Sequence, residues 1–314
     1  MPVYNSARYI ADAVESLLSQ SFTDFELIII DDASTDGSAN VLKYFRDDRI
    51  KILSNSKNRG IVFSRNRGLA EARGRFIAQF DSDDVAQPEK YEKQIDFLNR
   101  NPEFGMVGSW VRMIDSEGQL MKEKWKLPAK PELIPAIMLF RNYFVQSTIV
   151  VRKEAIPEGG YRIGYDVVED YKMWVEIAGN FKVWNLPEYL VNYRVHSLSA
   201  TNNNSTRLQK QNQIIFNDLF KELKIDLNDK NFETHLHVKQ NDLIRDIKVL
   251  KQIEGHLKLL VTQNRKVNVY NESAMTKVVF NRWLKCCFHS RNAGLKVFSL
   301  FLFSSITWAK LRML

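Results

Sequence analysis

The sequence predicts an α/β protein: a mostly parallel sheet flanked by helices, with a helical C-terminal appendage. Two observations predict it. Short apolar runs alternate with helix-periodic segments over residues 1–100, the pattern of strand–helix–strand units. Two of those runs end abruptly in clustered carboxylates, and in open sheets of this kind ligands bind beyond the carboxyl ends of the strands.

The elements follow in order. Ile10, Val14, Leu17 and Leu18 recur at helical spacing behind Asn5 and Ser6, either of which can cap. Residues 25–30 (FELIII) form an apolar run suited to a strand buried on both faces, and Asp31-Asp32 ends it. Residues 50–53 read as another short strand. Residues 61–73 read as a helix that stops at Gly74. Residues 75–80 (RFIAQF) read as a third strand, ended by Asp81-Ser82-Asp83-Asp84, and a helix is expected to begin near Pro88. Further on, residues 148–151 are strand-like and 169–179 helical. The polar run 201–205 reads as a linker, dividing a domain over 1–200 from a C-terminal region over 201–314. Within that region 206–262 and 275–312 are helical in character. The segment Pro2-Val3-Tyr4-Asn5 reads as the loop between a strand and the first helix. No strand stands ahead of it, so the expectation is a polypeptide that begins upstream of Met1, or one that folds poorly without that strand.

Charge separates the two regions. The chain carries 45 Lys/Arg and 37 Asp/Glu, net +8. From residue 205 onward there are 19 basic and 9 acidic residues, or +10, which leaves 26 against 28, or −2, for 1–204. After Glu272 no acid remains, while Lys277, Arg282, Lys285, Arg291, Lys296, Lys310 and Arg312 do. Residues 295–309 are apolar on all sides but shorter than the roughly 20 residues a bilayer span needs. With Trp283, Trp308 and the flanking bases they suit an anionic membrane surface; the competing reading is a basic helix packed on its own domain. Cys286 and Cys287 are the only cysteines and adjacent, so no disulfide framework is expected. Together with the absence of a secretory leader at residues 1–5, this gives the expectation of a cytoplasmic protein, peripheral on the cytoplasmic face of a membrane.

The carboxylate clusters carry the chemistry. Asp31-Asp32 and Asp81-Ser82-Asp83-Asp84, each at the end of a strand, face one crevice. Acids gathered there repel one another unless a cation sits among them. Hard oxygen ligands suit Mn²⁺ or Mg²⁺, which can also hold a substrate diphosphate. The plain alternative is that the acids cap the helix near Pro88.

The stretches PVYN, FELIIIDDASTDGS, NRGIVFSRNRGLAEARGRFIAQFDSDD, VEDYKMW and YRVHS, in this order, resemble the inverting family 2 glycosyltransferases of the GT-A (Rossmann-like) fold, of the kind that works in bacterial polysaccharide synthesis. The resemblance covers residues 1 to about 200. It implies transfer of a sugar from a nucleotide-sugar donor, a UDP-sugar, to a hydroxyl of a glycan or lipid-linked acceptor in cell-surface polysaccharide synthesis. It implies that Pro2, Val3 and Tyr4 line the base pocket and Asp32 contacts the base. Asp81 and Asp83 form the DxD motif, with Asp84 a rival metal ligand. Arg65 and Asn66 support the donor, Asp170 of the Glu169-Asp170 pair is the catalytic base, and His196 approaches the metal or diphosphate. Asp170 as a helix cap and Trp174 as a core residue rather than a sugar-stacking one are the plainer readings of those two positions.

Other functions fit less well. The basic tail has no nucleic-acid module, and its apolar content suits lipid better. A sugar-nucleotide-forming nucleotidyltransferase needs a Gly-rich phosphate loop that this sequence lacks. A catalytically inactive nucleotide-sugar-binding protein is the remaining alternative.

Overall fold

The structure is a computed structural model and describes residues 1–127, 130–197, 205–226, 228–240, 246–290 and 295–311. Residues 201–204 of the expected linker, and Arg291 and Arg312 of the basic tail, lie outside the described residues. Two units make up the chain: Met1–Pro131 with Tyr143–Gln211, and Glu132–Asn142 with Asn212–Leu314.

The first unit contains β1 (Pro2–Val3), α1 (Ile10–Leu18), β2 (Leu27–Asp31), α2 (Ser38–Leu42), β3 (Ile50–Ser54), α3 (Ile61–Glu71), β4 (Phe76–Ala78), β5 (Val85–Ala86), α4 (Lys90–Arg100), β6 (Phe104–Ile114) and β7 (Leu120–Trp125). After the excursion to the other unit come β8 (Val150–Arg152), α6 (Glu169–Asn180) and β9 (Lys182–Arg194). β1, β2 and β3 form a parallel sheet in the order β1-β2-β3, with Pro2 level with Ile30 and Leu27 level with Ile50. Every residue of β2 is buried, which is why its sequence is a continuous apolar run rather than an alternating one. Two differences from the sequence reading follow. Pro2 and Val3 are not loop but strand, because Val3 supplies an acceptor to the Asp32 N–H at 2.8 Å and buries its side chain in the core. The RFIAQF segment does not extend the parallel sheet directly; its strand, β4, pairs antiparallel with β8 at the edge of a mixed sheet of order β4-β8-β6-β9-β5.

The core forms where α1 and α4 cover these strands. Ile10, Val14 and Leu17 on one face of α1 share one buried cluster with Val3 and Ile29 of the strands and with Leu98 of α4, Val107, Val150 and Leu186. That helical spacing on α1 is the one its sequence displays. Close packing leaves no room for a side chain at Gly108, where a Cβ would lie 2.2 Å from Asn185 Oδ1.

The second unit holds α5 (Ile134–Met138), α7 (Ser205–Glu222, whose first turns belong to the first unit), α8 (Asp229–Gln240), α9 (Ile247–Val267), α10 (Glu272–His289), α11 (Leu295–Phe303) and α12 (Ser305–Leu311). Nothing in the composition of residues 132–142 detaches them from the domain over 1–200; α5 goes with the C-terminal helices because it packs on α10. α9 starts at Asp246, whose carboxylate accepts the Lys248 N–H, and stops at Asn268 in the left-handed conformation, φ 55°. Cys286 and Cys287 are buried and unbridged.

Candidate active site

Both acidic clusters sit where strands end. Asp31 closes β2, and Asp32 follows it. Asp32 Oδ1 accepts from Asn55 Nδ2 at 2.6 Å and the Arg59 N–H at 2.8 Å, while Oδ2 accepts the Gly60 N–H at 2.8 Å. Asp32 therefore anchors the turn that opens α3, where Gly60 has φ 84°. Asn55 also donates to Ser64 Oγ of α3 at 3.1 Å. The loop after β1 is tied to the same region: the Asn5 N–H donates to Ser34 Oγ at 3.1 Å, and Asn5 Oδ1 accepts the Thr35 N–H at 2.9 Å. The Val3 side chain lies in the core, whereas the Tyr4 ring is half exposed at the surface of this loop.

α3 then presents Arg65 to the second cluster. Its Nη2 donates to Asp81 Oδ1 at 3.0 Å and its Nη1 to Glu169 Oε1 at 2.5 Å. One buried guanidinium thus joins the end of the β4 segment to the first turn of α6. Burial pushes the Glu169 carboxyl up to about 7, with Arg65 opposing and the neighbouring Asp170 adding to the shift. Burial disfavours the charge on Arg65 too, but the Glu169 and Asp81 carboxylates outweigh it and hold Arg65 more firmly protonated than usual. Asp170 sits half-buried on the first turn of α6 and accepts the Tyr171 N–H at 2.6 Å; the N-cap is Val168, so Asp170 is not the helix cap. Trp174 is in the core, 1% exposed and edge-on to Tyr161. Asn66, next to Arg65, spends its amide on the backbone of Tyr161, donating to its carbonyl at 2.9 Å and accepting its N–H at 2.8 Å. It fixes the loop ahead of α6 rather than facing open space.

Asp83 meets a residue from the far end of the domain. Its Oδ2 lies 2.9 Å from His196 Nε2, so the two residues separated by most of the domain's sequence meet. Burial, then the Asp81 charge, push the Asp83 carboxyl up, against the pull of His196. Asp84 points inward. It is 1% exposed, its Oδ1 accepts the Arg194 N–H at 2.8 Å, and burial with the charges of Asp83 and Asp81 raises it well above the carboxylate range. Burial does most to raise these carboxyls, and the mutual repulsion of Asp81, Asp83 and Asp84 adds to it. Among the described residues no three His, Cys, Asp or Glu side chains are arranged as a complete metal shell. A divalent ion that takes part of its coordination from a bound diphosphate needs only one or two protein ligands, and Asp83 with His196 meets that requirement.

Several residues the sequence reading left without a role complete the arrangement. Arg194 donates from Nε to the Asp83 carbonyl at 2.8 Å and from Nη2 to Asp12 at 2.8 Å, and lies over the Tyr9 ring. Tyr9 packs against His196, ring centroids 4.7 Å apart. Ser147 accepts the Asp81 N–H at 3.0 Å, and Ser6 and Ser82 share a hydrogen bond of 2.7 Å. Arg194 stood inside the YRVHS motif and was legible as a candidate; Tyr9 and Ser147 carried no sequence signal.

Acids thus gather where β4 ends, around one arginine and one histidine, on an α/β fold. The family model described as glycosyl transferase family 2 matches residues 1–160, and the chain belongs to that family. It is similar to an uncharacterized glycosyltransferase of Haemophilus influenzae, 31% identical over 62% of this chain and 63% of that protein, so the chain spans under two thirds of that relative's length. It is also similar to the O-antigen biosynthesis glycosyltransferase WbnJ of Escherichia coli, 34% identical over 64% of this chain and 80% of that protein. The fold is GT-A: a solved structure of TarS from S. aureus in complex with UDP-GlcNAc superimposes with a TM-score of 0.58 over 95% of this chain and 90% of that one, at 17% identity.

Proposed function

We propose that this chain is an inverting, metal-dependent glycosyltransferase that moves a sugar from a UDP-sugar to a hydroxyl of a glycan or lipid-linked acceptor in cell-surface polysaccharide synthesis. The observation that carries the reading is Arg65, which ties the acidic cluster after β4 to the helix turn that bears Asp170. The relative named for O-antigen biosynthesis and the neighbour holding UDP-GlcNAc support the pathway and the donor class.

Each residue takes a part in this scheme. Tyr4 offers a half-exposed ring beside the base, with Pro2 and Val3 fixing the loop that holds it. Asp32 uses three of its four acceptor sites on Asn55, Arg59 and Gly60, which leaves one for a base N–H. Asp81 faces the ribose and the diphosphate, with Arg65 positioning it and Asn66 holding the adjoining loop. Asp83 and His196 would hold Mn²⁺ or Mg²⁺, and that cation, when bound, supplies positive charge against the charge developing on the leaving diphosphate. Asp84 positions Asp83 by gripping the Arg194 backbone, which favours Asp83 as the ligand over Asp84. Asp170 accepts the proton of the acceptor hydroxyl as its oxygen bonds to the anomeric carbon. The nucleoside diphosphate departs from the opposite side with the bonding electron pair, so the anomeric configuration inverts.

The C-terminal helices give the reading its location. Phe288, Leu295, Phe298, Phe303 and Trp308 are exposed, beside exposed Lys285 and Lys296. Leu295, Phe298 and Leu302 fall on one face of α11. No helix among the described residues is long and apolar enough to cross a membrane. In this reading the surface binds anionic lipid from one side, and the enzyme works at the cytoplasmic face, where a lipid-linked acceptor would stand.

The test is a screen of nucleotide sugars for metal-dependent release of nucleoside diphosphate. Release from one UDP-sugar, raised by an acceptor, supports transfer. Tight binding without release under every condition supports the inactive binding protein instead.

A further inference from the structure

Three cations gather where β6, β7 and β9 of the first unit lie side by side. Trp110 of β6 is level with Tyr189 of β9, and Arg112 of β6 is level with Lys124 of β7. The Trp110 and Tyr189 rings, both half-buried, meet edge to face with centroids 5.4 Å apart. The Arg112 guanidinium and the Lys124 ammonium lie over the Tyr189 ring at 5.4 and 5.9 Å, and the Lys126 ammonium lies 5.4 Å from the Trp110 ring. Side chains alternate along a strand, so Lys124 and Lys126 share one face of β7 and its continuation, while Glu123 and Trp125 take the other.

Among the described residues none of these three exposed cations pairs with a carboxylate. They rest on ring faces, a weaker hold than a carboxylate or phosphate would give them. Beside them is a pocket of about 480 Å³, within the range of small-ligand pockets. It is lined by Arg112 and Tyr189, by Gln87, Pro88, Glu89 and Lys93 where α4 begins, and by the neighbours of Tyr189 on β9. Lys93 takes up both acids of the pocket, Glu89 at 2.9 Å and Glu188 at 2.6 Å. Arg112 balances the remaining negative charge, and Lys124 and Lys126 make the surroundings positive. The Tyr189 hydroxyl is buried there with no hydrogen-bond partner among the described residues.

The mixture of groups selects the ligand. The cations suit an anion, while Gln87, Glu89 and Glu188 are acceptors for hydroxyl donors. An acidic peptide brings the anion without the hydroxyls. A nucleic acid binds such a surface by stacking its bases, and the ring faces here are already covered by cations. The flat surface of a bilayer does not enter a pocket. An acidic sugar carries anion and hydroxyls on one small ring. We propose that this pocket and the cations around it form a binding site for an acidic saccharide, a glycan residue bearing a carboxylate or a phosphate. Tyr189 precedes Arg194 by five residues on β9, a rise of about 16 Å. The site is therefore separate from the acid cluster at Asp83, and it stands whether or not the chain transfers a sugar.

The experiment titrates the full chain calorimetrically with two acidic sugars, hexagalacturonate and a phosphate-bearing mannose oligosaccharide. Neutral maltohexaose, poly-glutamate and oligo-uridylate are the comparisons. The site predicts that at least one acidic sugar binds more tightly than all three comparisons. Lys124→Glu with Lys126→Glu should weaken that binding by about tenfold or more, through like charges set against the ligand. The melting temperature should stay unchanged, because both side chains are exposed. Unchanged affinity in this double variant would overturn the site, since the sugar would then be held elsewhere, as on the basic C-terminal helices. So would absence of binding to both acidic sugars, or binding of poly-glutamate or oligo-uridylate at least as tight, which would make the face a docking surface for a protein or a nucleic acid.

Discussion

His196 Nε2 stands 2.9 Å from Asp83 Oδ2, which brings the residue just beyond β9 onto the acid cluster that follows β4. If both are ligands of one cation, replacing either removes part of its shell. Asp83→Ala and His196→Ala should each weaken Mn²⁺-dependent donor binding by about 10- to 100-fold, the scale on which even outer-shell changes act. Calorimetric titration of the donor with and without Mn²⁺ reads this. Asp84→Asn should cost less affinity than Asp83→Ala, because Asp84 is turned to the Arg194 backbone. Unchanged affinity in the Asp83 and His196 variants would remove both from the metal.

Arg65 serves two carboxylates at once. Arg65→Leu would leave Glu169 buried beside Asp170 with no cation, and Asp81 beside Asp83. Breaking such a buried network costs about 3–5 kcal/mol, visible as a lower urea midpoint. A double variant, Arg65→Leu with Glu169→Leu, should recover a large part of that loss, which separates an uncompensated charge from simple loss of packing.

The second unit carries its own pH dependence. His235 Nδ1 lies 3.1 Å from His256 Nε2, and His235 Nε2 lies 3.0 Å from the Leu139 carbonyl. The carbonyl only accepts, so His235 carries its proton on Nε2 and its Nδ1 accepts a hydrogen bond from His256 Nε2–H. Protonating His235 would set N–H against N–H. Burial lowers both pKa values, His256 to about 4 and His235 well below its ordinary 6.5. The unfolded chain therefore takes up protons from about pH 6.5 downward while the folded one does not, and stability falls as pH drops through that window. Melting followed between pH 7 and 4.5 should show this fall, and His256→Phe should reduce it.

The exposed apolar face on α11 and its basic neighbours predict binding to vesicles containing anionic lipid. Leu295→Ser with Phe298→Ser should weaken co-sedimentation several-fold without changing the melting temperature, because both side chains are exposed. Lys285→Glu with Lys296→Glu should weaken it further at low salt than at high salt. Equal sedimentation of all forms would leave the tail with a different role.

Much of this arrangement was legible in the sequence, and the reasons are physical. FELIII announced itself because a strand buried on both faces is apolar throughout, and DSDD because four polar residues, three of them acids, follow a strand directly. β4 was harder: RFIAQF looks like any buried strand, and nothing in its composition says that its neighbour is antiparallel β8. Pro2 and Val3 were read as loop because two residues give no periodicity. Tyr9 and Ser147 reach the site only through tertiary packing, and residues 132–142 join the C-terminal helices through α5, a five-residue segment too short to advertise its partner.

Asp170 carries the central claim, that this chain transfers a sugar through a carboxylate base. The measurement is Asp170→Asn, with donor affinity and transfer rate taken on the same preparation. The substitution keeps size and the hydrogen bond from Tyr171 while removing basicity. Transfer should fall by about 10²–10⁴-fold, the usual contribution of a general base, with donor affinity unchanged. A rate equal to that of the parent, or a loss of donor binding in proportion to the loss of rate, would contradict it.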